Sequence, residues 1–267
     1  MRSDASASLL QTDPPRRRFP VLGVPVDLIQ IPGVVAQIEK WICERDGCRS
    51  IAVTGIHGVT EAQHDPAYKM ILSIADLVVP DGMPLVWLAR LNGHKLKRRV
   101  YGPELMLAFL ESTKEKGYRH FLYGGAPGVP ERLAEVLRER FPGTVIAGIY
   151  SPPFRDLTPE EDAQIVSRIN DANPDIVWVG LGAPKQERWM HRHRDLLRAA
   201  VTIGVGAAFN INARITKQAP RWMREHGLEW LFRLLQEPRR LWRRYLVQGS
   251  QFVIYLVLDF LRFRRPA

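Results

Sequence analysis

The chain has 267 residues, of which 46% are hydrophobic, and its formal net charge at pH 7 is +10. This length and apolar content predict one large globular domain with a buried core, or one domain with an appended piece. Two cysteines, Cys43 and Cys48, are too few for a disulfide framework or a cysteine-based zinc site, and they indicate a reduced, cytoplasmic protein.

The N-terminal segment, residues 1–18, is polar and contains two consecutive prolines and three consecutive arginines. It lacks the apolar stretch of a signal peptide, so we expect a disordered tail. Residues 19–27 alternate apolar side chains with two prolines, which is typical of an edge strand or a short hairpin. Apolar residues at helical spacing then predict a helix over 31–45. Residues 50–54 predict a strand that ends in a loop at Gly55–Gly58.

A carboxylate follows the next predicted strand. Leu77–Val79 is a short apolar run that predicts a buried strand, and Pro80 ends it because proline has no amide proton to donate. Asp81 then stands in a turn before a helix predicted over 83–91. Ligands of open α/β sheets bind beyond the carboxyl ends of the strands, so Asp81 is a candidate ligand-contacting group. A cap of the following helix is the alternative role.

Strands and helices alternate regularly through the rest of the first 210 residues. This alternation predicts parallel βαβ units, in which helices cover both faces of the sheet. We therefore predict an α/β, Rossmann-like fold with an open, mostly parallel sheet as the catalytic domain, residues 19–210. The later strands are predicted over 119–123, 144–149, 175–180 and 200–204, and the later helices over 129–141, 159–170 and 184–197.

The C-terminal segment, residues 211–267, contains no predicted strand and is rich in arginine. From Arg214 onward, twelve lysines and arginines stand against four acidic residues. Residues 251–261 are strongly apolar but shorter than the roughly 20 residues of a membrane-spanning helix. Apolar and aromatic residues among arginines favour a helical appendage that docks on an anionic membrane surface. Packing against the α/β body or in a homo-oligomer is the alternative. Nucleic acid is disfavoured because no reader motif is present.

A glycine-rich loop, Gly124–Gly128, joins a predicted strand to a predicted helix. Small residues there let backbone amides and the helix N-terminus approach a phosphate group. The loop matches neither the dinucleotide fingerprint nor the P-loop, so a plain tight turn remains equally compatible. The missing fingerprint also argues against a Rossmann-type dehydrogenase.

A second unusual loop leads from a strand into a helix at Gly182. Pro184 is expected at the first helical position, which places the next three side chains at the helix N-terminus. The helix dipole favours Glu187 there but opposes Lys185, so Lys185 suggests an anionic ligand. Gln186 can both donate and accept hydrogen bonds.

His57 is a candidate base or ligand, although a loop histidine more often has a structural role. No two aspartates stand two positions apart in this sequence. The Asp-x-Asp pair that holds a metal on the nucleotide diphosphate in many glycosyltransferases is therefore missing. We expect neither a metal site nor a cofactor.

Five motifs in a fixed order connect the chain to a known family. They are Ala75–Gly82 (ADLVVPDG), Tyr101–Leu105 (YGPEL), Leu122–Gly125 (LYGG), Val179–Glu187 (VGLGAPKQE) and Gly227–Leu234 (GLEWLFRL). Over about residues 20–250 the chain resembles the WecG/TagA/CpsF glycosyltransferases, glycosyltransferase family 26, especially members that act in bacterial exopolysaccharide assembly.

The resemblance implies an inverting transfer of a sugar from a UDP-sugar to an acceptor linked to polyprenyl pyrophosphate, with no required metal. It also implies a peripheral location on the cytoplasmic face of the plasma membrane, where the C-terminal segment docks the enzyme and completes the site. The family's proposed catalytic base falls on Asp81.

We accordingly expect two groups of binding residues. The negative charge that develops on the UDP leaving group calls for cations and helix N-termini when no metal is present. The donor group comprises Thr54, His57, Gly124, Gly125, Gly182, Lys185, Gln186 and Glu187. The group for the acceptor or its pyrophosphate comprises Arg99, Tyr101, Arg221, Arg233, Arg239 and Arg240.

The sequence departs from the family pattern at two places. Gly55 stands where the family usually has Asn, so His57 is a candidate for orienting the acceptor instead. In the Phe-Asp-x-x-Ala-Gly pattern, Asn210 replaces Asp and Arg214 replaces Gly. A catalytically impaired paralogue that binds nucleotide or lipid is therefore the alternative function.

Overall fold

A computed structural model describes residues 17–263 of the chain. Two antiparallel strands form an N-terminal hairpin, and six further strands form one parallel sheet. The hairpin confirms one of the two predictions for residues 19–27. The strands are β1 (Arg18–Val21), β2 (Val24–Asp27), β3 (Arg49–Thr54), β4 (Leu77–Pro80), β5 (Arg119–Gly124), β6 (Val145–Tyr150), β7 (Ile176–Gly180) and β8 (Val201–Gly204).

Thirteen α-helices occur in the described part of the chain, and they connect the strands and form the C-terminal end. They are α1 (Ile31–Glu44), α2 (Ile56–His64), α3 (Pro66–Ile74), α4 (Met83–Leu91), α5 (Gly102–Thr113), α6 (Val129–Arg140), α7 (Pro159–Asp171), α8 (Lys185–His193), α9 (Ala208–Asn212), α10 (Arg221–Glu225), α11 (Glu229–Gln236), α12 (Pro238–Trp242) and α13 (Gln248–Phe263), with a π-helical turn at Arg243–Val247 before α13.

The strand order of the large sheet is β4-β3-β8-β7-β5-β6, and every neighbouring pair is parallel. The predicted Rossmann-like α/β architecture is therefore confirmed. Because all six strands point the same way, the loops that follow them lie along one edge of the sheet. β3 and β4 lie at one end of the row, whereas β5 and β6 lie at the other.

The core consists of two layers, one on each face of this sheet. Ile51 and Val53 of β3 pack in a cluster with α1, α5 and α6. Ala52, which lies between them and points to the opposite face, packs with α2 and α3. Farther along that second face, α7 and α8 cover β5 and β7. Burial of both faces explains the nearly continuous apolar runs of the strands.

The C-terminal helix α13 packs on α2. Phe252 is 3% exposed and belongs to the cluster that includes Val59 and Tyr68, and the hydroxyl of Tyr255 lies 3.2 Å from Nε2 of His64. The outward surface of the same helix remains apolar and open. None of the helices within residues 17–263 is long and apolar enough to cross a membrane. The outward residues, each about half exposed, are Val253, Ile254, Val257, Leu258, Phe260 and Leu261.

Several segment predictions need correction or restriction. Residues 56–58 are not a loop but the first turn of α2, which begins directly after Gly55. The helix predicted to reach residue 197 ends at His193. The predicted tail lies outside the described residues except for Arg17 and Arg18, and Arg18 already belongs to β1. The last four residues of the appendage also lie outside the described part.

Candidate functional site

Asp81 follows β4 directly and lies at the carboxyl edge of the sheet. Its backbone amide donates a 2.8 Å hydrogen bond to the carbonyl oxygen of Thr54, which ties the ends of β3 and β4 together. The residue that caps α4 is Gly82, with φ of +122°, and within residues 17–263 no side chain hydrogen-bonds to that helix end. The capping role for Asp81 is therefore wrong, and its carboxylate remains available to a ligand.

The carboxylate of Asp81 faces a cavity of about 280 Å³. One wall comes from the α/β domain, through the start of α2, the start of α4 and the segment before α5. The opposite wall comes from the C-terminal appendage. The cavity is lined by Gly55, Ile56, His57, Asp81, Gly82, Met83, Pro84, Arg99, Tyr101, Gly227, Glu229, Trp230, Arg233, Arg244, Tyr245 and Gly249.

A buried ionic cluster joins the two walls. Glu229, at the start of α11, accepts a 2.5 Å hydrogen bond from the hydroxyl of Tyr101 and forms an ion pair with Arg99. The guanidinium of Arg99 also stacks over the ring of Tyr101, 4.1 Å from its centroid. Burial lowers the pKa of Arg99, but the Asp81 and Glu229 carboxylates raise it above the ordinary value. Arg99 therefore remains a cation inside the cavity.

The surroundings of Asp81 shift the pKa of its carboxyl group toward neutral pH. Its pKa is raised to about 6, chiefly because the surrounding protein desolvates the carboxylate, and the negative charge of Glu229 adds to the rise. Arg99, Arg244 and Arg233 oppose the rise. A carboxylate in this environment is ionised at pH 7 but is a stronger base than an exposed aspartate.

Arg244 belongs to the cavity although its sequence position did not single it out. It lies in the π-helical turn before α13, and its Nε is buried without a hydrogen-bond partner in the described part of the chain. Burial lowers its pKa, and the nearby positive charge of Arg233 adds to this effect. Together with Arg99 and Arg233, it gives the cavity three cations, which suit an anionic ligand such as a pyrophosphate.

His57 lines the cavity but is engaged with the appendage. Its Nδ1 lies 2.5 Å from Oε1 of Gln248, the first residue of α13. Burial, followed by the positive charge of Arg244, lowers the pKa of His57 to about 4, so the ring is neutral at pH 7. The hydrogen bond fixes the start of α13 against the start of α2. A role in orienting a ligand stays a prediction.

The structure gives a physical reason for glycine at position 55. A Cβ atom there would lie 2.5 Å from the carbonyl oxygen of Asp81, closer than real Cβ contacts occur. Any side chain, including the Asn of the family pattern, would require the Asp81 peptide to move. Gly55 thus allows the ends of β3 and β4 to approach closely in this structure.

The second departure from the family pattern, at Asn210 and Arg214, lies in α9 and in the turn that follows it. The backbone carbonyl of Asn210 accepts hydrogen bonds from the amides of Ile215 and Thr216, both at 3.0 Å. Arg214 has φ of +61°, a left-handed conformation that glycine adopts freely and other residues at a cost of about 1–2 kcal/mol. The glycine of the family pattern therefore matches the backbone here, and Arg214 adopts the same turn with strain.

The predicted glycine loops lie farther along the same sheet edge, outside the cavity. Gly124 packs against Gly180, because a Cβ at Gly124 would lie 2.6 Å from the carbonyl carbon of Gly180. The amide of Gly125 donates to the Gly180 carbonyl at 3.1 Å, and the amide of Gly182 donates to Oε1 of Gln186 at 3.1 Å. These two amides are already paired, so a bound phosphate would have to replace their partners.

The other four polar residues predicted to bind the donor, besides His57, differ in accessibility. Thr54, Gln186 and Glu187 are buried, and only Lys185 is exposed at the N-terminus of α8. Gln186 donates to Oε1 of Glu187 at 2.8 Å, and burial raises the pKa of Glu187 to about 7. Gln186 thus holds the Gly182 loop to a buried carboxyl group beneath the sheet edge.

Three of the predicted acceptor arginines lie on the outer surface of the appendage. Arg221 pairs with Glu225 at 2.8 Å, Arg240 pairs with Glu237, and Arg239 is exposed. None of the three lines the cavity. Among residues 17–263, no group of three or more histidine, cysteine, aspartate or glutamate side chains is placed to hold a metal ion.

Comparisons with known proteins agree with the sequence motifs. The model of the glycosyl transferase WecG/TagA/CpsF family matches residues 19–266. An N-acetylglucosaminyldiphosphoundecaprenol N-acetyl-beta-D-mannosaminyltransferase of Bacillus spizizenii is 36% identical over 186 residues, which are 70% of this chain and 70% of that protein. Its namesake from Staphylococcus aureus is 29% identical over 224 residues, 84% of this chain and 86% of that protein. The chain therefore belongs to the WecG/TagA/CpsF family of glycosyltransferases.

Proposed function

We propose that this enzyme transfers a sugar from a UDP-sugar to a saccharide carried on polyprenyl pyrophosphate. The observation that carries the proposal is the position of Asp81, which faces a cavity that holds three arginines and opens beside an apolar appendage. Such a site offers a base for the acceptor hydroxyl, cations for a pyrophosphate and an apolar surface for its lipid. The names of the relatives specify the same class of acceptor, a diphosphoundecaprenol-linked N-acetylglucosamine.

The proposed reaction is a single inverting displacement. The acceptor hydroxyl attacks the anomeric carbon of the donor sugar while Asp81 takes its proton, and UDP leaves with the electrons of the broken C–O bond. The new glycosidic bond therefore forms on the face opposite the departing UDP. Negative charge grows on the UDP. In a metal-independent reaction, Arg99, Arg233 and Arg244 would stabilise both this charge and the charge of the acceptor pyrophosphate.

We place the donor nucleotide along the sheet edge and the acceptor pyrophosphate in the arginine-lined cavity. β7 lies three strands from β4, so at about 4.8 Å per strand the Gly182 loop is roughly 14 Å from the end of β4. The same edge carries the Gly124 loop and the exposed Lys185. A nucleotide diphosphate is long enough to extend over that distance, with its sugar directed toward Asp81.

The appendage is proposed to hold the enzyme on the membrane. The outward face of α13 is apolar, and the preceding helices expose Trp222 and Trp242 beside the arginines of α10 and α12. Aromatic and aliphatic side chains mixed with cations suit the interface of an anionic bilayer. This placement would bring the cavity to the cytoplasmic membrane face, where a lipid-linked acceptor is held. A homo-oligomer and a role in exopolysaccharide assembly stay predictions.

A direct assay tests this function. Purified enzyme is incubated with UDP-N-acetylmannosamine, UDP-N-acetylglucosamine or UDP-glucose and with N-acetylglucosamine linked to polyprenyl pyrophosphate. The lipid products are identified by mass spectrometry, and their anomeric configuration is determined by NMR. Transfer from one of these donors, with a β-linked product from an α-linked donor, supports the proposal. Binding of UDP and acceptor without turnover would instead identify an impaired paralogue, the alternative raised by Gly55 and Asn210.

A further inference from the structure

One face of α4 presents an exposed apolar stripe. Trp87 is 43% exposed and Leu91 is 82% exposed, and the two residues are four positions apart, on the same face of the helix. Pro84, one turn before Trp87, continues this face toward the start of α4. Single exposed apolar residues are common on protein surfaces, so the stripe is informative only through its position.

The stripe leads directly out of the cavity. Pro84 lines the cavity wall, as does Gly227 in the turn between α10 and α11. Trp87 packs against Gly227, because a Cβ at Gly227 would lie 2.9 Å from Cη2 of the indole. The path from the arginines to Leu91 is therefore continuous along one helix face. With a rise of 1.5 Å per residue, it extends about 10 Å from Pro84.

Residues on two sides of the apolar stripe flank it. Leu88, adjacent to the stripe, packs in the same cluster as Phe252 of α13. Gly227 stands on the other side, in the turn before α11. The stripe thus runs between the two parts of the appendage that close the cavity. Among the described residues, nothing covers Leu91.

We propose that this stripe binds the first part of the polyprenyl chain of the acceptor. The inference rests on the proposed function, because it assumes a pyrophosphate in the arginine-lined cavity. An acceptor of that class has an anionic head joined to an apolar chain, and the protein offers cations followed by an apolar track in the same order. The polyprenyl chain is unfavourable among the desolvated charges of the cavity. Contact with Trp87 and Leu91 instead removes its apolar surface from water.

The test compares Leu91→Asn with wild-type enzyme on two acceptors that share the same head group. One carries a polyprenyl chain of several isoprene units in detergent micelles, and the other carries a short water-soluble alkyl chain. For Leu91→Asn, KM for the long-chain acceptor should rise about tenfold, while KM for the short-chain acceptor and kcat stay unchanged. Leu91→Met should behave like wild type.

Leu196→Asn is the matched control. Leu196 is also exposed but lies before β8, at the opposite edge of the sheet, so its replacement should leave both KM values unchanged. Vesicle binding is measured in parallel. A Leu91→Asn enzyme that binds anionic vesicles like wild type supports a contact with the acceptor chain.

Two results would overturn the inference. One is an equal change, or no change, in KM for the two acceptors. The other is a loss of vesicle binding that accounts for the loss of activity, which would identify Leu91 as a bilayer contact. Failure of the proposed function has a different signature, since wild-type enzyme would then transfer sugar to neither acceptor.

Discussion

The hydroxyl of Tyr101 donates a 2.5 Å hydrogen bond to Glu229, a residue 128 positions later in the chain. This bond and the Arg99–Glu229 ion pair attach the start of α11 to the α/β domain. The side chains of Tyr101 and Glu229 are both buried, so each would lose its hydrogen-bond partner if the appendage moved away. The cavity around Asp81 therefore exists as described only while the appendage is docked.

The raised pKa of Asp81 predicts the pH dependence of transfer. The base must be ionised, so kcat/KM should rise with pH, reach half its maximum near pH 6 and level off above pH 7. Glu229→Gln removes a negative charge that raises the pKa of Asp81, so the midpoint should move to lower pH. The measurement is a pH–rate profile under kcat/KM conditions. A midpoint that Glu229→Gln leaves unchanged would show that the titrating group is not Asp81.

Arg244→Gln should have the opposite effect on the same profile. Arg244 lowers the pKa of Asp81, so its loss should shift the midpoint to higher pH. The variant should also raise KM for the acceptor by about 10- to 100-fold, since a charge-assisted hydrogen bond contributes about 1.5–3 kcal/mol. Arg138→Gln, on the exposed surface of α6, is the control and should change neither quantity. An unchanged acceptor KM for Arg244→Gln would place the pyrophosphate elsewhere.

Gly55→Ala tests the close contact between the ends of β3 and β4. The new methyl group would displace the Asp81 peptide, and a displacement of about 1 Å at a catalytic group costs about 100-fold in rate. We expect kcat to fall by this factor and the free energy of unfolding by about 1–3 kcal/mol. Gly249→Ala also adds a methyl group at the cavity, but apart from its chain neighbours and its own helix backbone no described atom lies within 4 Å of it, so it should retain activity. Full activity of Gly55→Ala would contradict the assigned geometry.

Val257→Asp tests the proposed docking of the exposed apolar face of α13 on the membrane. Val257 is 51% exposed in the middle of the apolar face, so a carboxylate there should not disturb folding but should oppose contact with an anionic bilayer. Binding to anionic vesicles, measured by co-sedimentation, should fall at least tenfold, while transfer to a short water-soluble acceptor is retained. Leu196→Asp, on the opposite edge of the sheet, should bind vesicles normally. Undiminished binding of Val257→Asp would exclude α13 as the docking surface.

Local patterns were sufficient to predict the sheet and the position of Asp81. The strands are short apolar runs bounded by glycine or proline, and their alternation with helices specifies a parallel sheet with one ligand-binding edge. The first turn of α2 was missed because Gly55 and Gly58 resemble a loop. Gly58 is required there by packing, since a Cβ would lie 2.8 Å from Cγ2 of Thr54.

Convergence of distant residues on the site could not be predicted locally. The arginine-rich composition of the appendage indicated an anionic partner, but composition does not distinguish arginines that point inward from those that face solvent. Arg233 and Arg244 enter the cavity, whereas Arg239 and Arg240 remain outside. Arg244 lies in the π-helical turn before α13, which no sequence periodicity marks, although such turns often occur at functional sites. The buried partners of Gln186 likewise depend on tertiary packing.

The central claim is that Asp81 is the catalytic base, and Asp81→Asn tests it most directly. The amide keeps the shape of the carboxylate but cannot accept the proton from the acceptor hydroxyl. We predict that kcat for transfer to the lipid-linked acceptor falls by about 10²- to 10⁴-fold, while UDP binding measured by calorimetry stays at the wild-type level. Full transfer activity in Asp81→Asn would contradict the account.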